Sequence, residues 1–352
     1  MKEGPVLVHV ITKKGRGFRL AEEDPAKFHG LGPFDIKTGK LKERKKKPTY
    51  TQVFGETLLR LARRDKRIVG ITAAMEWGTG LEILRDEFPD RFFDVGIAEE
   101  HAVTFAAGLA VSGFRPVVAI YSTFLQRAYD QVLHDVCLQN LPVLFAVDRA
   151  GIVEGDGATH QGIFDIAYLS HIPNLILMAP KDENELQHML YTGLRHDGPI
   201  ALRYPKEEGR GVKMNKEFKA LSVGKAEVLY KGKDLAIFAF GSMVHPSLGA
   251  AEELNATLVN LRFAKPLDKK IITTLARECG KIVTVEEGIL EGGVGTRVLE
   301  LLEEEGLGNI KVKCIGLPDK FLEHGPRHIL LSKYGLTSQG ILKTIRRWLK
   351  SA

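Results

Sequence analysis

The chain has 352 residues, 44% of them apolar, enough to build more than one packed core, and 50 basic against 44 acidic residues leave a formal charge of only +6. This composition excludes a disordered or fibrous chain, and the small net charge gives no reason to expect a nucleic-acid partner. Cys137, Cys279 and Cys314 form no CxxC pair, which argues against a disulfide framework or a metal knuckle.

Residues 5–11 (PVLVHVI) predict a strand that is apolar at nearly every position, of the kind that sits inside a sheet covered on both faces. No helix or strand precedes it. No apolar segment suited to a signal peptide follows Met1, and no stretch approaches the roughly 20 apolar residues of a membrane helix. The expected location is the cytoplasm, with no membrane partner. A basic, Gly-rich loop (TKKGRG, 12–17) is followed by irregular polar chain to residue 47. The closing run KLKERKKK at 40–47 lacks aromatics and helical amphipathicity, so it reads as a solvated linker ending at Pro48.

From Thr49 the pattern changes. Helices are predicted at 50–64, 98–112 and 124–139, and strands at 67–72, within 90–96, and at 115–120, 142–147, 175–179 and 200–203. Asp182 is positioned to cap a further helix, with Glu185 completing a capping box. Residues 205–220 interrupt the alternation with Gly, Lys and Glu. Beyond 221, strands at 235–240, 256–261, 281–285 and 312–317 alternate with helices at 247–254, 268–279 and 293–303. The fold class is α/β: one domain over 48–205, a smaller one over 206–352, and a leading segment over 1–47.

Open α/β sheets bind ligands at the carboxyl ends of their strands, so polar residues there are the candidates. Glu99 stands at the start of a helix of small and apolar residues, where a carboxylate gains from free backbone donors. A plainly capped helix would look the same. Tyr121, Phe124 and Arg127 directly follow a buried strand and offer a stacking surface and an anion donor, although core packing with a surface arginine would also fit. The loop 148–162 (DRAGIVEGDGATHQG) carries Arg149, Asp156 and His160 among four glycines. His160 suits acid–base or orienting work, and Arg149 with Arg203 could grip a phosphate through forked hydrogen bonds. An ordinary surface loop remains open as the alternative. No Walker motif, triad spacing or metal-ligand spacing is present.

The strings YSTFLQRAYDQ (121–131), DRAGIVEGDGATHQG (148–162), FAKPLD (263–268) and VEEG (285–288) resemble those of the 1-deoxy-D-xylulose-5-phosphate synthase family, transketolase-like thiamine-diphosphate enzymes, and the resemblance covers essentially the whole chain. It implies two transketolase-like domains, pyrimidine-binding and carboxy-terminal, preceded by the remnant of a diphosphate-binding domain. The carboxy-terminal domain is expected to be mainly structural. By the same resemblance Glu99 bonds N1′ of the cofactor's aminopyrimidine, Phe124 stacks on that ring, and Ile97 and Lys14 also contact the cofactor. Tyr121, Arg127 and Asp156 line the substrate side, His160 and His29 assist catalysis, and Arg149 and Arg203 hold the aldehyde's phosphate. The implied partners are pyruvate, glyceraldehyde 3-phosphate and a second copy of the chain.

Thiamine diphosphate and Mg2+ are the implied cofactors, serving isoprenoid and thiamine precursor synthesis. The metal ligands are expected outside this chain, since Gly155, Asp156 and Gly157 lie in the substrate loop. The chain is therefore expected to be inactive alone and to need the diphosphate-binding portion in cis or in trans. The small chain of a split transketolase or related ketoacid enzyme, or a non-catalytic relative, are the alternatives. Departures from the family pattern are Glu100 in place of a glutamine, the absence of a proline after Met75, and a short connection at 254–256.

Overall fold

Regular alternation begins where the sequence predicts it. The Thr49 hydroxyl accepts from the Gln52 N–H (3.1 Å) and caps helix Tyr50–Ala62. That helix buries Tyr50, Val53, Phe54, Leu58, Leu61 and Ala62, one apolar stripe at helical spacing. The computed structural model describes residues 4–25, 27–28, 34–40 and 47–351, in two units, Met1–Lys46 and Lys47–Ala352.

In the first unit a short helix, Arg19–Glu23, is accompanied by a cluster of the Phe18, Phe28 and Phe34 rings with centroids 5.3–5.8 Å apart. The strand expected over residues 5–11 does not form. Leu7 is 93% and Ile11 85% exposed, and no ladder pairs this run among the described residues. Apolar content alone does not make a strand, because its N–H and C=O groups need a neighbour.

The second unit holds two sheets. The first comprises β1 (Ile68–Thr72), β2 (Phe92–Asp94), β3 (Arg115–Tyr121), β4 (Leu144–Asp148), β5 (Ile176–Met178) and β6 (Ile200–Arg203), all parallel, in the order β5-β6-β4-β3-β1-β2. The second comprises β7 (Glu227–Tyr230), β8 (Ala236–Ala239), β9 (Thr257–Asn260), β11 (Lys281–Ile289) and β12 (Lys311–Leu317), ordered β12-β11-β8-β9-β7 with β7 antiparallel. The intervening strand β10 (Phe263–Lys265) leaves its own domain and pairs antiparallel with β5, extending the first sheet to seven strands. A shared apolar layer joins the domains: Phe145, Ile166 and Leu169 lie in one core with Phe238, Phe240, Val259 and Val294.

The sequence pattern missed β7, β10 and the helices Arg327–Lys333 and Ser338–Ser351. Strand β10 has only three residues, too few for periodicity to register. The helix expected at 124–139 starts at Ser122, tightens to a 3-10 turn at Gln126–Ala128 and widens to a π-helical turn at Val132–Cys137. Asp182 caps helix Glu183–Arg195 by accepting from the Glu185 N–H (2.8 Å). The Glu185 carboxylate accepts from the Lys181 N–H (2.8 Å), one residue before the cap, so the box closes one position early.

The irregular segment after β6 is stapled to the first domain. Glu183, 1% exposed, accepts from the N–H groups of Arg210 (2.9 Å), Gly211 (2.5 Å) and Val212 (2.9 Å). Arg60 donates to the Lys216 carbonyl (2.8 Å) and lies over the Phe218 ring. A carboxylate collecting three backbone donors fixes this crossing as firmly as a short helix would. Glu183→Ala leaves those donors without an acceptor and should cost about 2–4 kcal/mol in urea unfolding. Glu300→Ala, on an exposed face, should change stability by less than about 0.5 kcal/mol. Equal effects would mean the staple contributes nothing.

Candidate active site

Parallel strands bring their carboxyl ends to one edge of the first sheet. Along that edge run Arg203 on β6, Asp148 on β4, Tyr121 on β3, Thr72 on β1 and Asp94 on β2. The chain reverses its direction of travel across the sheet between β2 and β3, so a crevice is expected over β1 and β3. Two residues at this edge have strained backbone. Ala74, after β1, and Arg149, after β4, both sit in the left-handed region, at φ 60 and 57, a conformation that costs energy and clusters at functional sites.

Glu99 is the first residue of helix Glu99–Val111, which follows β2 through a turn fixed by Asp94. The Asp94 carboxylate accepts from the N–H groups of Ala74 (2.8 Å) and Gly96 (2.9 Å). Glu99 is 3% exposed, and its Oε2 is buried without a hydrogen-bond partner. Its neighbour Glu100 is exposed, since adjacent helix positions point apart. Ile97, just before the helix, leaves 80% of its surface uncovered. A buried carboxylate oxygen with no protein partner is unusual, which makes Glu99 a candidate binding residue.

The aromatic shelf stands at the end of β3. The Tyr121 and Phe124 rings stack at 5.7 Å, and His160 meets Phe124 edge-on at 5.2 Å. The Thr123 hydroxyl donates to the Thr159 carbonyl (2.8 Å), tying the 148–162 loop to this shelf. The Arg149 guanidinium lies over the Tyr121 ring, 3.8 Å from its centroid, and is paired with buried Asp148 at 3.0 Å. It also donates to the Gly78 carbonyl. Burial pushes the Tyr121 hydroxyl up to about 12, against the opposing pull of Arg149. Burial likewise raises Asp148, while Arg149 and the Thr51 hydroxyl oppose it.

The remaining expected residues fall in different places. Asp156, on the exposed loop tip, pairs with Lys206 at 2.7 Å. Arg127 is exposed on the 3-10 turn after Phe124. Arg203 is 3% exposed, and its guanidinium is taken up by protein: Nε donates to Asp165 (2.8 Å) and Nη2 to the Glu287 carbonyl (3.1 Å). Lys14 is exposed in the first unit, and His29 lies outside the described residues.

Sequence reasoning missed Lys206, although it lies just past the Arg203-Tyr204-Pro205 segment at the end of β6. A cation one residue beyond a proline that ends a strand was the available signal. Gly78 was missed as well. A Cβ there would overlap the Tyr121 hydroxyl and lie 2.8 Å from Cζ, so only glycine lets that ring reach its place.

The shelf and the orphaned Glu99 oxygen fit a flat heteroaromatic ring with a hydrogen-bonding edge. Among the described residues, no group of three or more His, Cys, Asp or Glu could hold a metal ion.

Two family models match the chain: the transketolase pyrimidine binding domain over residues 46–211 and the transketolase C-terminal domain over 224–341. A solved split gene transketolase, in an inactive beta4 tetramer, superposes with a TM-score of 0.75 at 30% identity, covering 86% of this chain and 98% of that one. The chain belongs to the transketolase family. Within it, the chain is similar to 1-deoxy-D-xylulose-5-phosphate synthases, at 56% identity to that of Halothermothrix orenii and 57% to that of Heliobacterium modesticaldum, over 97% and 98% of this chain. It spans 55% and 54% of the length of those two relatives.

Gly78→Ala tests the shelf. Gly78 lies in the short helix Glu76–Thr79, where alanine would normally stabilise by about 1 kcal/mol relative to glycine. Here it should destabilise by about 1–3 kcal/mol, because the Tyr121 ring must move. Tyr121→Phe in the same chain should recover part of the loss, making the pair non-additive in urea unfolding. Simple additivity would show that the two residues do not meet.

Proposed function

We propose that this chain provides the aminopyrimidine and substrate side of an enzyme that condenses pyruvate with D-glyceraldehyde 3-phosphate to 1-deoxy-D-xylulose 5-phosphate and carbon dioxide. The observation that carries the proposal is Glu99, a buried carboxylate with one unpartnered oxygen, in a chain that is 55–57% identical to synthases named for that reaction. Thiamine diphosphate, when bound, supplies the electron sink on which pyruvate loses carbon dioxide. Glu99 holds a proton at N1′ of the aminopyrimidine and so favours the tautomer able to accept a proton elsewhere on the cofactor. Phe124 would stack on the ring, and Ile97 would also contact the cofactor. His160 orients a substrate oxygen beside the shelf, while Tyr121, Arg127 and Asp156 line the approach.

The aldehyde's phosphate is assigned to Arg149 and Lys206. Arg149 lies over Tyr121 and Lys206 against Asp156, whereas the Arg203 guanidinium is engaged by Asp165. On this reading residues 48–205 are the pyrimidine-binding domain and 206–352 the carboxy-terminal domain. Residues 1–47, with Lys14 and His29, belong with a diphosphate-binding portion that holds Mg2+ in cis or in trans.

A second reading has one supporting observation. The split gene transketolase is matched over 98% of its own chain, so this chain could equally serve as one chain of a two-chain enzyme. Turnover with pyruvate and with sugar-phosphate donors, each measured with glyceraldehyde 3-phosphate and a diphosphate-binding chain supplied, distinguishes the readings. Product formed from sugar-phosphate donors and not from pyruvate would favour the second.

In the active assembly, Glu99→Gln should abolish turnover and weaken thiamine diphosphate in calorimetric titration. Arg149→Ala and Lys206→Ala should each raise the KM for the aldehyde by an amount worth about 1.5–3 kcal/mol, with pyruvate little affected. Equal losses for both substrates would assign these cations to structure. A homodimer formed through both domains completes the proposal. Light scattering that shows only monomer across concentrations would remove that part.

A further inference from the structure

The string VEEG at 285–288 and the segment around Arg327 lie in the carboxy-terminal domain, which the proposed function leaves without a role. Glu287 is 1% exposed and Arg327 6%. The Glu287 carboxylate accepts from Arg327 Nη1 (2.5 Å) and Nη2 (2.8 Å), a forked pair, and from the Ser242 hydroxyl (2.6 Å). Its Oε1 accepts one donor more, the Ile152 N–H (2.7 Å), and Ile152 belongs to the other domain, at the root of the loop that carries Asp156 and His160.

Other contacts converge on the same root. The Arg327 backbone N–H donates to Glu154 (3.1 Å), and its Nε to Glu207 (3.1 Å), beside Lys206. Gln161 spans the loop: its Oε1 accepts from the Val153 N–H (2.8 Å), and its Nε2 donates to the carbonyls of Val153 (3.3 Å) and Glu323 (3.4 Å). Gly151 and Gly162 close the root as a two-residue bridge. Gly151 sits at φ 88, and a Cβ there would come within 2.6 Å of the Glu287 carboxyl carbon. Residues 151–153 and 161–163 are buried, while 154–156 are exposed.

We propose that Glu287 and Arg327 are positioning residues. They form a clamp in the carboxy-terminal domain that sets the root of the 151–162 loop, and thereby the placement of His160 against Phe124 and of Asp156 against Lys206. The significance of the clamp for substrate rests on the function proposed above, but the clamp itself is testable without turnover. A loop of small and polar residues has no core of its own, so its conformation is imposed at its root. A buried carboxylate can impose it only while its own charge is matched. Arg327 supplies that match, and the Ile152 N–H takes the remaining direction of approach.

Amide hydrogen exchange on the full chain, together with the proton NMR signal of the His160 imidazole, tests this. Arg327→Lys keeps the charge and loses the fork. It should speed exchange of the bonded amides of Ile152, Val153 and Gly162 at least about tenfold, leave residues 117–119 of β3 within about twofold, and move the His160 signal toward that of a free histidine as it leaves the Phe124 ring. Ser242→Ala, a small truncation within the carboxy-terminal domain, should produce the same pattern at about two- to fivefold and serves if Arg327→Lys fails to fold. Unchanged loop exchange with an unmoved His160 signal would overturn the clamp. So would equal acceleration of the loop and β3, which marks general destabilisation. Neither readout depends on the reaction, so a chain that passes both and makes no product when the diphosphate-binding portion is supplied would refute the proposed function alone.

Discussion

A carboxylate buried between two domains must find its partners or it breaks the structure, and Glu287 is the group on which this protein's arrangement turns. Removing one member of a buried ion pair leaves an uncompensated charge and costs several kcal/mol, whereas the intact pair contributes little net stability. The pair therefore acts chiefly as a register. Glu287 accepts from Arg327 and Ser242 in its own domain and from Ile152 in the other, and its carbonyl accepts from Arg203, which is itself held by Asp165. A shift of either domain would leave several buried polar groups unmatched together.

A second network secures the opposite side of the same junction. Glu185, 3% exposed, accepts from Arg262 (2.7 Å), Lys181 (3.3 Å) and Asn260 (3.0 Å), while Glu227 takes Lys181 (2.8 Å) and Arg262 (2.9 Å). Strand β10 crosses nearby and completes the first sheet. The shared apolar layer supplies non-directional attraction, and the two ionic networks select one alignment from the many that attraction would allow. The crevice can then be lined from one domain and its loop fixed from the other.

The site separates into a rigid and an adjustable part. Tyr121 ends a strand inside the sheet, and buried Glu99 opens the helix that follows β2. Asp156 and His160 stand on a loop whose tip is exposed and whose root is fastened. On the function proposed above, such a division holds one ring still while substrates arrive and leave.

Much of this was legible in the sequence. Apolar runs of four to seven residues alternating with amphipathic stretches fix the α/β class, and Thr49 and Asp182 announce their helices because capping is local chemistry. Glu99, Tyr121, Phe124 and the 148–162 loop stand out because charged and aromatic residues directly follow buried strands. The orphaned oxygen of Glu99, the enclosure of Arg203 by Asp165 and the pairing of Lys206 with Asp156 depend on side chains 38 to 50 positions apart or more, and no local pattern encodes them. The same holds for residues 5–11, whose composition suits a strand but which have no partner among the described residues, and for β10, whose three residues acquire meaning only beside β5. The sequence by itself determined the α/β class and most of the segments that fold into helices and strands, because those depend largely on neighbours along the chain. Tertiary structure alone decided which charges are buried, paired or left open, because a charge is governed by whatever surrounds it in space.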